Sequence, residues 1–131
     1  SAAAMGATAF QKGLGAIHAM SHPVGAVFNT HHGTTNAVCM PAVLAFNADT
    51  IRGRFDQAAA YLGIDGGFDG FCEFVQQFND SFAIPRTLTE MGVSEDRLDD
   101  LVAMALEDPS CGGNPVELTA DGLRGLFRAC F

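Results

Sequence analysis

Three histidines near the start of this chain are spaced as metal ligands can be. His18 and His22 are four residues apart, which on a helix places them on one face about one turn from each other. His32 comes fourteen residues after His18, beyond a turn marked by Asn29-Thr30 ahead of His31-His32-Gly33. Imidazole nitrogen suits zinc or iron, so a helical H-x-x-x-H pair with a distant third histidine can bind a metal. Histidines in an apolar stretch also serve as hydrogen-bonded core residues. Spacing alone leaves both roles open.

A complete site would need more than these side chains. Mononuclear centres take about three or four protein ligands, yet residues 1–48 hold no Asp or Glu, and no H-E-x-x-H glutamate is present. Further ligands would have to come from the acidic C-terminal part, from a second subunit, or from sequence outside this chain. The same stretch carries a single formal charge, Lys12, whereas residues 49–131 hold six Arg against fifteen acids. That split suggests a buried, histidine-bearing N-terminal part packed under an acidic, solvated remainder.

The bulk numbers exclude several classes. A chain of 131 residues allows one domain, or a piece of one. The 48% hydrophobic content and 11 Phe argue for a packed chain and against disorder. A net charge of −8 argues against nucleic acid or an anionic membrane as a partner, because phosphate contacts need basic residues. The longest apolar run, Ala37 to Phe46, is ten residues and includes Pro41, short of the roughly 20 that span a membrane. No signal-peptide pattern is visible. Cys39, Cys72, Cys111 and Cys130 are scattered without a C-x-x-C pair and read as reduced thiols in a cytoplasmic protein. The opening Ser-Ala-Ala-Ala-Met-Gly is already helix-forming, so the chain is expected to begin inside a longer protein.

Helices must position the histidines, since apolar periodicity is helical throughout and no strand pattern appears. The first is predicted over Ala2 to Ser21, followed by a less regular segment from Val24 to His32. A second runs from Thr34 to Asn47, apolar on nearly all sides and kinked at Pro41. Asp49 opens a third through Leu62, and Phe68 to Phe82 forms a fourth. Its stripe of Phe71, Phe74, Phe78 and Phe82 is expected in the core. Ser94 caps a fifth helix to Asp108, with Asp96, Asp99 and Asp100 on a solvated face. Thr119 caps the last, and Leu123, Leu126, Phe127 and Cys130 face inward. Between these two lies the loop Pro109 to Pro115, readable as a plain turn or as an approach of Cys111 to the active site.

Several segments together resemble one family. Gly13-Leu-Gly-Ala-Ile-His18-Ala-Met-Ser-His22-Pro-Val-Gly25, with Asn29-Thr-His-His32-Gly33, looks like the metal-binding signature of the iron-containing (group III) alcohol dehydrogenases. Asn36-Ala-Val-Cys-Met-Pro41, Ala60-Tyr-Leu-Gly63, Ile84-Pro-Arg-Thr-Leu88 and Gly113-Asn-Pro115 fit the same pattern, so the similarity covers essentially the whole chain. The resemblance implies an all-α bundle of about six helices, the dehydroquinate synthase-like C-terminal domain of such enzymes. It also implies that residues 1–131 form one helical metal-binding domain without its N-terminal α/β nucleotide-binding partner.

Carried over by position, His18 and His32 would be two of four ligands to Fe2+, with Zn2+ possible. His22 would be a further histidine beside nicotinamide and substrate, serving as a proton relay or as a structural residue that orients His18. His31 receives no role. The expected D-x-x-x-H ligand pair and G-G-G-S phosphate loop have no counterpart here. The implied activity is NAD(P)-dependent oxidation of a primary alcohol to an aldehyde, or the reverse, in a homo-oligomer. This chain alone would be inactive. Two other readings compete: a stand-alone helical module for dimerisation or interaction, and a metal-storage or metal-sensing module built on His18, His22 and His32.

Overall fold

In a computed structural model describing residues 1–131, the chain folds into six α-helices joined by turns and 3-10 segments, with no strand. The helices are α1 (Ala2–Phe10), α2 (Ala16–Phe28), α3 (His32–Leu62), α4 (Gly67–Ser81), α5 (Leu98–Glu107) and α6 (Ala120–Cys130). The all-α expectation holds, while several boundaries do not. None of the helices is long and apolar enough to cross a membrane.

The helix predicted over Ala2 to Ser21 is two helices. It breaks at Gln11–Gly15, where Gly13 takes φ +92°, a conformation side-chain-bearing residues rarely adopt. The break lets the backbone of Leu14 meet Gly113 so closely that a Cβ on Gly113 would lie 1.9 Å from the Leu14 carbonyl oxygen. The new helix then runs through Pro23 to Phe28, where irregular chain was expected. Its cap, Gly15, has no side chain to offer. Asn114 supplies the missing acceptor from across the fold, its Oδ1 taking the Ala16 N–H at 3.2 Å.

Residues Thr34–Asn47 and Asp49–Leu62, predicted as separate helices, are one helix of 31 residues. Asn47 explains the continuity. Its amide pairs with that of Asn114 through two hydrogen bonds of 3.0 and 2.9 Å, so it does not compete for local backbone groups. Pro41 leaves the helix unbroken. A proline lacks the N–H that would bond the carbonyl four residues back, which here is that of Ala37. The Asn79 side chain of α4 donates to that oxygen at 3.0 Å instead.

The main core gathers eighteen buried residues from α2, the first half of α3, the Leu88–Val93 turn, α5, Leu118 and α6, with Phe127 and Met20 among the largest. Thr119 caps α6 as predicted, accepting from the Gly122 N–H at 3.1 Å. Ser94 makes no capping bond; a 3-10 turn at Glu95–Arg97 leads into α5 instead. A second, smaller cluster of Leu44, Phe68 and Val75 joins α3 to α4, with Phe55 edge-on to Phe71. The phenylalanine stripe of α4 departs from expectation. Phe71 is half-buried, but Phe74, Phe78 and Phe82 stand exposed, because no other element packs on that face of α4.

Candidate functional site

His18 and His22 project from one face of α2, as their spacing requires. Asn29, in the left-handed conformation at φ +54°, ends that helix and turns the chain back. His31 then caps α3, its Nδ1 accepting from the Thr34 N–H. The Thr35 hydroxyl donates to the His31 carbonyl and meets the Thr30 hydroxyl, which tightens the turn. His32, the first residue of α3, therefore lands beside the α2 pair. The three ring centroids lie 5.2 to 5.6 Å apart. His31, given no role by the resemblance, has a local structural one.

Asn36, one turn along α3 from His32, shows where two of these rings point. Its Nδ2 lies 3.1 Å from Nε2 of His32 and 3.4 Å from Nε2 of His18. One N–H₂ group donating to both nitrogens makes each Nε2 an acceptor, so two imidazole lone pairs converge on one place. The Asn36 Oδ1 is buried there without a partner, a cost a bound group can relieve. Burial first, then the neighbouring His32 and His22, lowers the His18 pKa from its ordinary value, and the nearby Asp108 opposes this. His18 is accordingly neutral at neutral pH, the state a metal ligand needs. These two nitrogens fit a divalent metal as half of a site. Nowhere does the chain place three or more His, Cys, Asp or Glu side chains so as to hold an ion.

His22 is engaged elsewhere. Its Nδ1 lies 2.8 Å from Oδ2 of Asp108, and its ring stacks on His32 with 16° between the planes. Asp108 ends α5 and also caps the 3-10 turn Pro109–Gly113, Oδ1 accepting from the Ser110 N–H at 2.8 Å. Burial pushes its carboxyl up, but hydrogen bonds from Ser110 and His22 outweigh that and hold it below the usual carboxylate range. Asp108, the residue just before the Pro109–Pro115 loop, thus reaches His22, while Asn114 of the loop bonds Ala16 and Asn47. Cys111 bonds the Ala105 carbonyl instead.

Sequence reading missed the part Asp108 plays. A local signal exists in Asp108-Pro109, the pattern of a cap before a proline, but nothing local connects it to a histidine 86 residues away. Asn36 and Asn114 stood in recognisable motifs without an assigned contact. Beside His18, a cavity of about 320 Å3 opens between α2, α3 and the loop, lined by Ile17, Leu44, Asn47, Phe55 and Asn114 among others.

Comparisons with known proteins bear on the family and the fold. The family model for the Fe-containing alcohol dehydrogenase family, C-terminal, matches residues 1–131. Over 97% of its length the chain is 41% identical to 4-hydroxybutyrate dehydrogenase from Cupriavidus necator, of which it covers 35%. It is 32% identical to lactaldehyde reductase from Escherichia coli (strain K12), with 91% of the chain and 33% of the relative covered. The crystal structure of a 1,3-propanediol oxidoreductase superposes with a TM-score of 0.84 at 28% identity, over 90% of this chain and 33% of that one. The chain therefore spans about a third of the length of these relatives. With its helical fold, its histidine motif and full-length family match in agreement, this chain belongs to the iron-containing alcohol dehydrogenase family, whose C-terminal part it represents.

Proposed function

We propose that residues 1–131 are the helical, metal-binding part of an NAD(P)-dependent alcohol dehydrogenase that interconverts a small primary alcohol and its aldehyde. The observation that carries this reading is the convergence of the His18 and His32 Nε2 atoms on one neighbour, Asn36. His18 and His32 would hold Fe2+, or Zn2+ in its place, from the helical side. The remaining ligands and the dinucleotide site would come from an α/β domain preceding this chain. When bound, the metal supplies Lewis-acid polarisation of the substrate oxygen, and the nicotinamide supplies hydride transfer. Of the chain's own groups, His22 lies near enough to the His18–His32 pair to exchange a proton with substrate. The cavity beside His18, with Ile17, Leu44 and Phe55 in its lining, would receive the hydrocarbon part. Small hydroxy- and oxo-compounds suit this reading, since they are the substrates the names of the matched relatives carry.

Metal analysis tests the assignment directly. The intact protein is expected to carry about one metal per chain and to lose it in His18→Ala and His32→Ala, whereas His22→Ala keeps the metal and loses turnover. Residues 1–131 alone should hold no stoichiometric iron after dialysis and show no dehydrogenase activity. A His32→Ala protein with full metal content would refute the ligand assignment.

A further inference from the structure

The Asp108 carboxylate is committed at both oxygens. Oδ1 accepts from the Ser110 N–H and Oδ2 meets Nδ1 of His22, each at 2.8 Å. The Asp108 side chain is 12% exposed and that of His22 42%, so the carboxylate sits on the buried side of the ring. An ionised carboxylate only accepts hydrogen bonds, so this contact requires the His22 proton on Nδ1. Nε2, at the far end of the ring, makes no hydrogen bond within the chain.

The segment carrying Asp108 is held on three sides. Asn114 binds the Ala16 N–H and the amide of Asn47. Gly113 lies against the backbone of Leu14. The Cys111 thiol donates to the Ala105 carbonyl at 2.9 Å. A carboxylate fixed to this extent restrains the imidazole it binds, and the stack on His32 restrains the plane of the ring.

We propose that Asp108 is a positioning residue that locks His22 in the Nδ1–H tautomer and one ring orientation, leaving Nε2 as the bare nitrogen offered to substrate. The inference rests on the reading of His22 as the proton-exchanging group. The same division of labour serves wherever a carboxylate holds a histidine so that the opposite ring nitrogen works as a base. Without the carboxylate the imidazole would populate both tautomers and turn about its side-chain bonds. Asparagine at position 108 can still cap the Ser110 N–H, but it can present an amide N–H to Nδ1 and so favour the opposite tautomer.

The test uses the intact protein. In the metal-free form with 15N-labelled histidine, NMR of the parent is expected to show His22, assigned by its loss in His22→Ala, protonated at Nδ1 and bare at Nε2. In Asp108→Asn the proton should move to Nε2 or distribute between the two nitrogens. Metal content and the KM for the dinucleotide should be unchanged in Asp108→Asn, with kcat lower by on the order of 10²-fold. His22→Ala/Asp108→Asn should be no slower than His22→Ala, because the carboxylate acts only through the ring. A parent His22 protonated at Nε2 overturns the proposal without recourse to any variant. So does an unchanged kcat in Asp108→Asn when His22→Ala is impaired. An unimpaired His22→Ala enzyme refutes the proton-exchange reading instead, and the tautomer measurement still judges what Asp108 does to the ring.

Discussion

Helices α1 and α2 lie five residues apart and are written in nearly the same alphabet. Each carries several Ala, one Gly and scattered large apolar side chains, and neither has an acid in its first turn or a base in its last. None of the nine residues of α1 is buried, whereas six of the thirteen in α2 are. The difference lies in partners. Against α2 pack α3, α5 and the 109–113 turn, and its first N–H is capped by Asn114. Against α1 nothing packs: Met5 is 72% exposed and Phe10 61%. Apolar composition therefore states a capacity for burial, and a partner decides whether it is used. Helix α4 shows the same contrast within one element, with Phe68 and Val75 inside and Phe74, Phe78 and Phe82 outside.

Matched substitutions would break or sharpen that contrast. The largest effect is expected for Phe127→Ala, which empties a fully buried site and should cost about 3–5 kcal/mol in urea unfolding. Phe78→Ala, the same change on the exposed stripe, should stay within about 0.5 kcal/mol. Met20→Ala in α2 should cost about 2–5 kcal/mol, against about 0.5 kcal/mol or less for Met5→Ala in α1. Equal costs within either pair would show that the exposed member is covered in solution.

Asn114→Ala should come next, at about 1–3 kcal/mol. It removes the cap on α2 and leaves the buried Asn47 amide without its partner. The smallest effect concerns acid. Because the folded Asp108 carboxyl titrates below its ordinary 3.8, its stabilising contribution is fully present above that value. It is lost as the pH falls further, through the folded pKa. Asp108→Asn should flatten this low-pH limb of the unfolding midpoint, and an unchanged limb would show that the Ser110 and His22 contacts together carry no differential charge stabilisation.

Much of the fold was legible locally. The all-helical character, the Thr119 cap, the inward face of α6 and the solvated Asp99 and Asp100 all follow from a period of 3.6 residues and known capping preferences. Boundaries were less so. Asn47-Ala48-Asp49 reads as a cap between two helices, and only the pairing of Asn47 with Asn114 shows why α3 continues. Conversely, Gly13 and Gly15 read as weak points inside one helix, and the contact of Leu14 with Gly113 shows why the helix divides there. In the candidate site, the His18–His22 relation was certain from an i, i+4 spacing. That Asp108 would meet His22 was beyond any local signal.

From residue order alone came the all-helical character, the shared face of His18 and His22, and the uncharged stretch that holds them. Those properties depend on neighbours within a turn or two, where helix geometry fixes distance. Which apolar faces are covered, where His32 comes to rest, and which carboxylate takes the second nitrogen of His22 depend on the path of the whole chain. Contacts between residues 86 or 98 positions apart form only when the intervening helices pack, and packing selects among faces that composition leaves equivalent.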